Sequence, residues 1–396
     1  MGRHWVVAGL FVLSLITYID RAAISSVKEP MAAELGFSDR EMGAVFSAFA
    51  LGYALAQVPS GWAADRFGPR LMLSVLVVFW SLLTALTGAV QQFLTLLLAR
   101  FVFGVAEAGA FPGSARAFYN WLPAWEHGRA NGIVFAASRL GAAIAFPVMA
   151  WLLTWATWRT AFYWLALPGI VWGIGWYLWF RDEPAVAVAH EVGASSGPEP
   201  GFGEIFRSRA MLLAMSQYFI VNFTTFLCLT WMLPYLKTRF GLSASEAAFY
   251  AMIPLLVGAT AQWATGTMVD WLYRSRWKGW SRRLPAMTGF GLSAMGIVAI
   301  PWVDDVRVVA GLFTLAAFGA EMTISPSWAF CMDIGGKKSG AISGAMNMMG
   351  NLGSFVSANL FPVLGAGYFV LVMGLNLYCV GAWYWMRMKS STIDTA

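Results

Sequence analysis

Charge is scarce in this sequence: only 12% of its 396 residues are Asp, Glu, Lys or Arg, whereas 59% are hydrophobic. A soluble domain usually carries about 25% charged residues, so the composition excludes an ordinary soluble protein. The apolar stretches run for roughly 20 residues, the length of a helix that crosses the bilayer core. They lack the short alternation of β-barrel strands. The sequence therefore predicts an all-α integral membrane protein.

Cysteine and histidine are also rare, with three of each. The cysteines lie in apolar stretches without a pairing pattern, so no disulfide framework is predicted. The histidines form no metal-ligand set, and no nucleophile–base set or Walker phosphate loop is present. We therefore expect a protein that is not an enzyme, binds no metal or organic cofactor and is not driven by ATP. The net charge of +6 comes from scattered loop residues, which argues against nucleic-acid binding.

The apolar pattern predicts twelve transmembrane helices, with both termini on one side of the membrane. One set of loops holds most of the Lys and Arg residues, including the five between 274 and 283, and the alternate loops hold only six. The positive-inside rule then places both termini in the cytoplasm of a multi-pass protein of a bacterial inner membrane. The predicted spans are 5–25, 42–62, 71–90, 93–118, 130–153, 160–180, 210–235, 247–268, 285–302, 306–330, 340–363 and 365–386.

The two halves of the chain repeat each other. Six residues recur 205 positions later in the chain, and the spacing of five between Glu107 and Pro112 is found again between Glu321 and Pro326. We therefore predict two pseudo-symmetric six-helix halves, 1–180 and 210–396, joined by a cytoplasmic linker over 181–209, with a substrate site between the halves near the midplane. The six pairs are Gly36/Gly241, Ser38/Ser243, Glu41/Glu246, Gln57/Gln262, Gly61/Gly266 and Asp65/Asp270.

Several charges fall in or near the predicted spans. A charge at the bilayer centre costs about 2.5–3.5 kcal/mol, so it is rarely kept without a use. Two interpretations stay open from the residues alone: a site for an anion and protons, or structural ion pairs that fix helix ends and helix packing. The charged residues are Asp20, Arg21, Arg100, Glu107, Arg139 and Glu321.

The segment from Gly61 to Arg70 reads Gly-Trp-Ala-Ala-Asp-Arg-Phe-Gly-Pro-Arg, and we place it in the cytoplasmic loop between the second and third spans. It resembles the signature loop of the major facilitator superfamily, and a weaker copy follows Gly266. We expect Gly61 to permit close helix contact and Asp65 to pair with a base or cap a helix. Gly61, Asp65, Arg66, Gly68 and Arg70 would together form a gate whose contacts break as the protein changes state.

The charged residues sharpen this resemblance. Tyr18-Ile-Asp20-Arg21, Arg100 with Glu107, and the signature loop together resemble the anion:cation symporter family, which includes bacterial transporters of hexonates, hexuronates and aldarates. The resemblance implies that Arg21 binds the substrate carboxylate. It also implies that Asp20 and Glu107 carry protons and that Arg100 interacts with Glu107.

Further residues match the family's substrate-facing positions. The resemblance places Tyr18 and Tyr53 at the sugar-acid site, and it places Asn347 and Asn351 among the polar contacts of the second half. Arg139 departs from the family pattern, because many members have a neutral residue there. A second cation would suit a dianion or another acid, or Glu321 or Glu107 could neutralise it; Glu321 could also be a further proton site. Both interpretations stay open.

These observations predict a secondary active transporter that imports an organic anion with protons by alternating access. The partners are a small organic anion, most simply a sugar acid or other carboxylate, protons as the coupling ion, and the lipid bilayer, and we expect a monomer. A proton-coupled drug exporter of the same fold is the first alternative. However, the exporter pattern of the fifth span, Gly-x-x-x-Gly-Pro, is not found between Gly132 and Pro147. A membrane sensor without transport is the second alternative.

Overall fold

A computed structural model of the protein describes residues 2–184 and 201–385. Within these ranges the regular structure is entirely helical. Most of the predicted linker, and the basic residues Arg387 and Lys389, lie outside the described residues. Eight helical stretches of the described part are long and apolar enough to cross a membrane, and Gly367–Trp383 is a shorter apolar one.

The helices follow one another with short connections. Those up to the linker are α1 (Arg3–Ser26), α2 (Lys28–Leu35), α3 (Asp39–Phe67), α4 (Pro69–Ala89), α5 (Phe93–Glu107), α6 (Ala110–Trp121), α7 (His127–Leu152) and α8 (Trp158–Trp179). Those after it are α9 (Phe202–Arg207), α10 (Arg209–Phe226), α11 (Met232–Phe240), α12 (Ala244–Tyr273), α13 (Arg283–Val298), α14 (Val306–Met322), α15 (Ile324–Gly335), α16 (Ser339–Leu364) and α17 (Ala366–Trp385).

The repeated residues before α3 and α12 begin both helices in the same way. Ser38 and Glu41 form a capping box, in which each side chain accepts a backbone N–H of the other residue. Ser243 and Glu246 form the same box on α12. Such boxes satisfy N–H groups that have no partner within the helix. The preceding glycine, at position 36 or 241, has a φ of 70° or 65°, a left-handed conformation that glycine adopts without strain.

Two of the predicted spans are interrupted, and an acidic residue lies at each interruption. We predicted continuous helices over 93–118 and 306–330, but α5 ends at Glu107, and α14 ends at Met322, one residue after Glu321. Pro112 and Pro326 explain both breaks, because proline has no N–H to donate to the carbonyl four residues earlier. The spacing shared by the two halves is therefore the spacing from a buried acid to the proline that breaks its helix.

A third interruption lies in the span predicted over 210–235. The α10 helix gives way to a π-helical turn at Leu227–Trp231, after which α11 continues to Phe240. Pro234 cannot donate to the carbonyl of Thr230, which favours a local change of hydrogen-bond pattern. Single π turns of this kind are frequent at functional sites.

The described residues cluster into two compact units. Unit 1 contains residues 2–122, 137–184 and 335–344, and unit 2 contains residues 123–136, 201–334 and 345–385. The α7 helix thus begins in unit 2 and ends in unit 1, and α16 begins in unit 1 and ends in unit 2. The halves predicted from the sequence meet only at the linker. Here, in contrast, the first turns of α7 and α16 belong to a different unit from the rest of each helix.

One arginine in each unit holds a helix end on the predicted outer side. In unit 1, Arg159 donates to the carbonyls of Gly88 (3.0 Å) and Val90 (2.6 Å) at the end of α4, and Glu34 accepts from its Nε at 2.8 Å. In unit 2, Arg239 donates to the carbonyl of Pro301 (2.8 Å), after the end of α13. A guanidinium suits this place, because the carboxyl end of a helix carries partial negative charge.

Candidate functional site

Unit 1 brings together the four charges of its predicted site. The Nε of Arg21 donates to Oε2 of Glu107 over 2.6 Å, and the Glu107 side chain is fully buried, whereas the Arg21 side chain keeps 19% of its exposure. Arg100 interacts electrostatically with Glu107 and Asp20. The sequence predicted an interaction between Arg100 and Glu107, but the direct hydrogen bond to Glu107 comes from Arg21.

The two acids each have an oxygen that is open to a proton. Asp20 is 2% exposed and Glu107 is 0% exposed. Among the described residues, Oδ2 of Asp20 and Oε1 of Glu107 are buried without a well-formed hydrogen bond. Two acids and two bases sum to no net charge, so the cluster is neutral only while both acids are ionised. Protonation of either acid would leave a positive charge that attracts an anion.

An aromatic cage surrounds the guanidinium of Arg21. Its carbon lies 4.3 Å from the ring centre of Tyr53, 4.9 Å from that of Tyr18 and 5.4 Å from that of Phe49. Phe49 also lies beneath the guanidinium of Arg100, at 5.1 Å. Such stacking orients a planar guanidinium and leaves its N–H edge to bind a carboxylate. The sequence analysis missed Phe49, although it precedes Tyr53 by four residues and therefore shares its helix face.

The acid of unit 2 has an amide partner. Glu321 is 2% exposed and accepts a hydrogen bond from Nε2 of Gln262. Gln262 entered the sequence analysis only as a repeat of Gln57, with no role predicted for it. The predicted alternatives for Glu321, a proton site or a partner of Arg139, remain predictions. Arg139 is half-buried on the part of α7 that belongs to unit 1.

Unit 2 has hydrogen-bonding side chains on α10, α15 and α16. Asn351 donates to the backbone carbonyl of Asn347 at 2.9 Å, one helical turn away, so the two predicted residues share a face of α16. The indole of Trp328 donates to the hydroxyl of Tyr218 at 2.8 Å, and the Trp328 ring centre lies 5.0 Å from that of Phe135. Only Asn347 and Asn351 of this set were predicted as site residues.

The predicted gate motif is helical except at Gly68. We placed Gly61 to Arg70 in a loop, but α3 continues to Phe67, and only Gly68 separates it from α4. Asp65 accepts from the backbone N–H groups of Gly340 (2.9 Å) and Ala341 (2.7 Å) and so caps the first turn of α16. This geometry is favourable, because the amino end of a helix carries partial positive charge.

The backbones of α3 and α16 lie in close contact beside this cap. A Cβ on Gly61 would overlap the carbonyl of Gly340, so only glycine lets α3 approach α16 as it does. The guanidinium of Arg116 lies 3.9 Å from Asp65. Arg66, a predicted gate residue, instead lies over the ring of Trp62 at 5.3 Å. Asp65 thus makes the capping contact, and Gly61 leaves room for it.

The carboxyl end of the motif contacts a second acid. Asp182, just after α8, accepts from the backbone N–H of Arg70 at 2.8 Å, and the Nε of Arg70 donates to the carbonyl of Tyr177 at the same distance. A side chain at Gly68 would collide with Asp182, and Gly68 has a φ of 82°. Partial burial raises the pKa of Asp182, and the hydrogen bond from Arg70 opposes this rise. Gly68 and Arg70 therefore tie the start of α4 to the end of α8.

The second copy of the motif caps the other shared helix. Asp270 accepts from the backbone N–H groups of Gly128 (2.9 Å) and Arg129 (2.8 Å), in the first turn of α7. A Cβ on Gly266 would lie 2.5 Å from the carbonyl oxygen of Gly128. Each aspartate of the repeat thus caps one of the two helices that are divided between the units.

A buried ion pair supports the second cap. Arg282, which is 0% exposed, binds Asp333 at 2.9 Å and lies 3.9 Å from Asp270. The Nδ1 of His127 lies 3.6 Å from the same carboxylate of Asp333. No sequence signal identified this ion pair, because Arg282 belongs to a basic loop and Asp333 to an apolar helix.

Residues 10–358 match the family model of the Major Facilitator Superfamily. The chain is 32% identical to the probable sulfoacetate transporter SauU of Cupriavidus necator over 91% of this chain and 87% of that protein. It is 30% identical to the probable galactarate/D-glucarate transporter GudP of Escherichia coli strain K12, over 94% of this chain and 88% of that protein.

The solved structure of the proton:xylose symporter XylE shares the fold, with a TM-score of 0.78 and 15% identity over 99% of this chain and 97% of that one. This likeness concerns the fold alone. One family is indicated by the helical architecture, by the paired aspartate caps and by the whole-length matches. The chain belongs to the major facilitator superfamily, where it groups with bacterial transporters of organic acids and is not an enzyme.

Proposed function

We propose that this protein imports a small organic anion together with protons, by alternating access. The relatives that it matches over most of their length are described as transporters of sulfoacetate and of galactarate and D-glucarate, all of them organic acids. The substrate class that these names and the residues share is a small acid with one or more carboxylates or a sulfonate. A sugar acid belongs to this class, because it carries at least one carboxylate.

The observation that supports this proposal is the buried pair of Arg21 and Glu107. Its 2.6 Å bond occupies the Nε–H of the caged guanidinium, a donor that a substrate carboxylate could use instead. When Glu107 takes up a proton, it loses most of its attraction for Arg21, and the incoming anion replaces it. When the site opens to the cytoplasm, Glu107 loses the proton, binds Arg21 again and expels the anion. Asp20 would take part as a second proton carrier held by Arg100.

The remaining predicted residues complete the site in this proposal. Tyr18, Tyr53, Asn347 and Asn351 would donate to or accept from substrate hydroxyls. Arg139 would meet the second charge of a dianion such as an aldarate. We further propose that protons are the only coupling ion and that no cofactor takes part.

The same proposal covers the topology. Twelve spans in two six-helix halves, 1–180 and 210–396, would be joined by a cytoplasmic linker, and both termini would face the cytoplasm of a bacterial inner membrane. The protein would work as a monomer. Asp65 and Asp270 would release the first turns of α16 and α7 in each transport cycle, because alternating access requires that closed contacts break.

Uptake by proteoliposomes tests the function. Purified protein is reconstituted, an inward proton gradient is applied, and accumulation is measured for galactarate, D-glucarate, galactonate, sulfoacetate and lactate. We expect one or more of the larger acids to accumulate and accumulation to collapse when a protonophore is added. The Arg21→Lys variant should bind at least about tenfold more weakly, because lysine cannot form the planar fork. Arg307→Lys, at an exposed position on α14, is the matched control.

Two results would contradict the proposal. Accumulation that survives the protonophore would exclude proton coupling. Extrusion of cationic dyes, with no acid accumulated by the wild-type protein, would show that the buried charges serve an exporter.

A further inference from the structure

Arg100 is a buried cation that lies against aromatic rings. It is 2% exposed, and among the described residues its Nε has no well-formed hydrogen-bond partner. The carbon of its guanidinium lies 4.4 Å from the ring centre of Phe103 and 5.1 Å from that of Phe49. A charge that loses its water is costly to bury, and the face of an aromatic ring attracts a cation within about 6 Å. The two rings therefore replace part of the hydration that Arg100 loses.

Phe49 is shared by the two arginines of the site. Its ring centre lies 5.4 Å from the guanidinium carbon of Arg21 and 5.1 Å from that of Arg100. Two cations repel each other, and the repulsion is stronger in a dry site than in water. A ring that attracts both cations offsets this repulsion and restricts the positions that each guanidinium can take. Phe49 therefore links the arginine that would bind the anion to the arginine that interacts with Asp20.

The backbone around Phe49 holds its ring in place. A Cβ on Gly104 would overlap the carbonyl of Phe49, and a Cβ on Gly52 would overlap a backbone carbonyl of α5, so α3 and α5 meet with their backbones in contact. The Phe49 ring also packs against the rings of Tyr53 and Phe103, with centres 5.8 Å and 5.7 Å away. A ring on such closely packed helices has a fixed position relative to the arginine on α5.

We propose that Phe49 is a positioning residue of the transport site, which holds the guanidiniums of Arg21 and Arg100 in the arrangement that an anion requires. This role rests on the proposed function, because it concerns the same site. An anion that meets a guanidinium already held in place loses less entropy on binding than one that must order a mobile side chain. Loss of the ring's attraction should therefore weaken anion binding by about 2- to 30-fold, the range of a cation–π contact. The maximal rate should change less, because both arginines and both acids remain.

Fluorinated phenylalanine separates the attraction of the ring from its shape. Each fluorine weakens the negative potential of the ring face and changes the volume of the side chain little. Mono-, di- and trifluorinated phenylalanine are incorporated at position 49 of the full chain. The same series at position 46 is the matched control, because Phe46 is also half-buried on α3 but packs against an apolar core cluster.

Uptake by proteoliposomes under an inward proton gradient is the first measurement. For the acid that the wild-type protein accumulates, the half-saturating concentration should rise with each fluorine at position 49, to about 2- to 30-fold for the trifluorinated ring. At position 46 it should stay within about twofold of wild type. Phe49→Tyr should keep nearly wild-type half-saturation, because the ring is retained, whereas Phe49→Leu should resemble the trifluorinated protein.

Thermal unfolding of the same purified proteins is the second measurement. The unfolding temperature should fall along the series at position 49 relative to the series at position 46, because two buried cations lose part of their stabilisation. No trend at position 49, or equal trends at the two positions, would overturn the inference, since the ring would then act only through its shape. A wild-type protein that accumulates no acid would contradict the proposed function instead, and the unfolding temperatures would still decide whether Phe49 holds the two cations.

Discussion

The two aspartate caps offer a reciprocal test within one molecule. Asp65 accepts two backbone N–H groups of α16, and Asp270 accepts two of α7, all between 2.7 and 2.9 Å. Their side chains are only 10% and 8% exposed, so water does not readily replace them. Replacement by Asn removes the charge and one acceptor oxygen while keeping the volume.

The size of the effect follows from the lost bond. A hydrogen bond to a charged group contributes about 1.5–3 kcal/mol, and Asn can satisfy one of the two donors. Since about 1.4 kcal/mol corresponds to tenfold, local opening of the capped turn should become roughly 10- to 150-fold more frequent. Hydrogen exchange measures this opening directly at the capped amides.

The assay is hydrogen–deuterium exchange with mass spectrometry on purified wild-type and variant protein. Asp65→Asn should speed exchange in peptides covering 339–344 and leave those covering 127–132 unchanged. Asp270→Asn should do the reverse. Acceleration of both peptides in both variants would mean a global loss of stability, and no acceleration in either would mean that the carboxylates do not hold these turns. Either result would refute the reasoning.

Three further predictions concern single side chains. Glu107→Gln should abolish proton-driven accumulation while substrate exchange continues, because the amide cannot release a proton; a pH-sensitive dye inside proteoliposomes measures the difference. Hydrogen bonds from Arg159 and Trp158 lower the pKa of Glu34 from its ordinary value of 4.5, so its stabilisation is present above that pH and is lost as the pH falls below it. Thermal unfolding between pH 3 and 7 should show a larger loss of stability in the wild type than in Glu34→Gln. Gly353→Ala should destabilise by about 1–3 kcal/mol, because its Cβ would overlap a backbone carbonyl of α10, whereas Gly374→Ala, with open space around its Cβ, should unfold near the wild-type temperature.

Composition and motif spacing were enough to predict the helical membrane fold and the superfamily. Long apolar runs need helices in a bilayer whatever their tertiary packing, so their existence could be predicted without contacts. The residues of the capping boxes at Ser38 and Ser243 were visible as repeats, because each box involves only residues three positions apart. The helix breaks after Glu107 and Glu321 were not predicted, because the proline that causes each break lies several residues further on, in a stretch that is still apolar.

Contacts between distant segments were the part that the sequence could not supply. Pairing of Arg21 with Glu107 joins residues 86 positions apart, and the spacing of Arg100 and Glu107 on one helix favoured another partner. The cap of α16 by Asp65 joins residues 275 positions apart.

Arg159 and Arg239, which hold helix ends on the predicted outer side, show how the repeated halves differ. Position 34 holds an acid and its repeat partner, 239, holds a base, yet the same helix end receives a guanidinium in both units. In the first unit, Glu34 holds Arg159 at the helix end. In the second unit, the residue at position 239 is itself the arginine. What the two units share here is an electrostatic requirement rather than a residue. Alignment of the halves therefore scores this pair as a mismatch of opposite charge, and sequence symmetry underestimates how closely the two units agree in their physical construction.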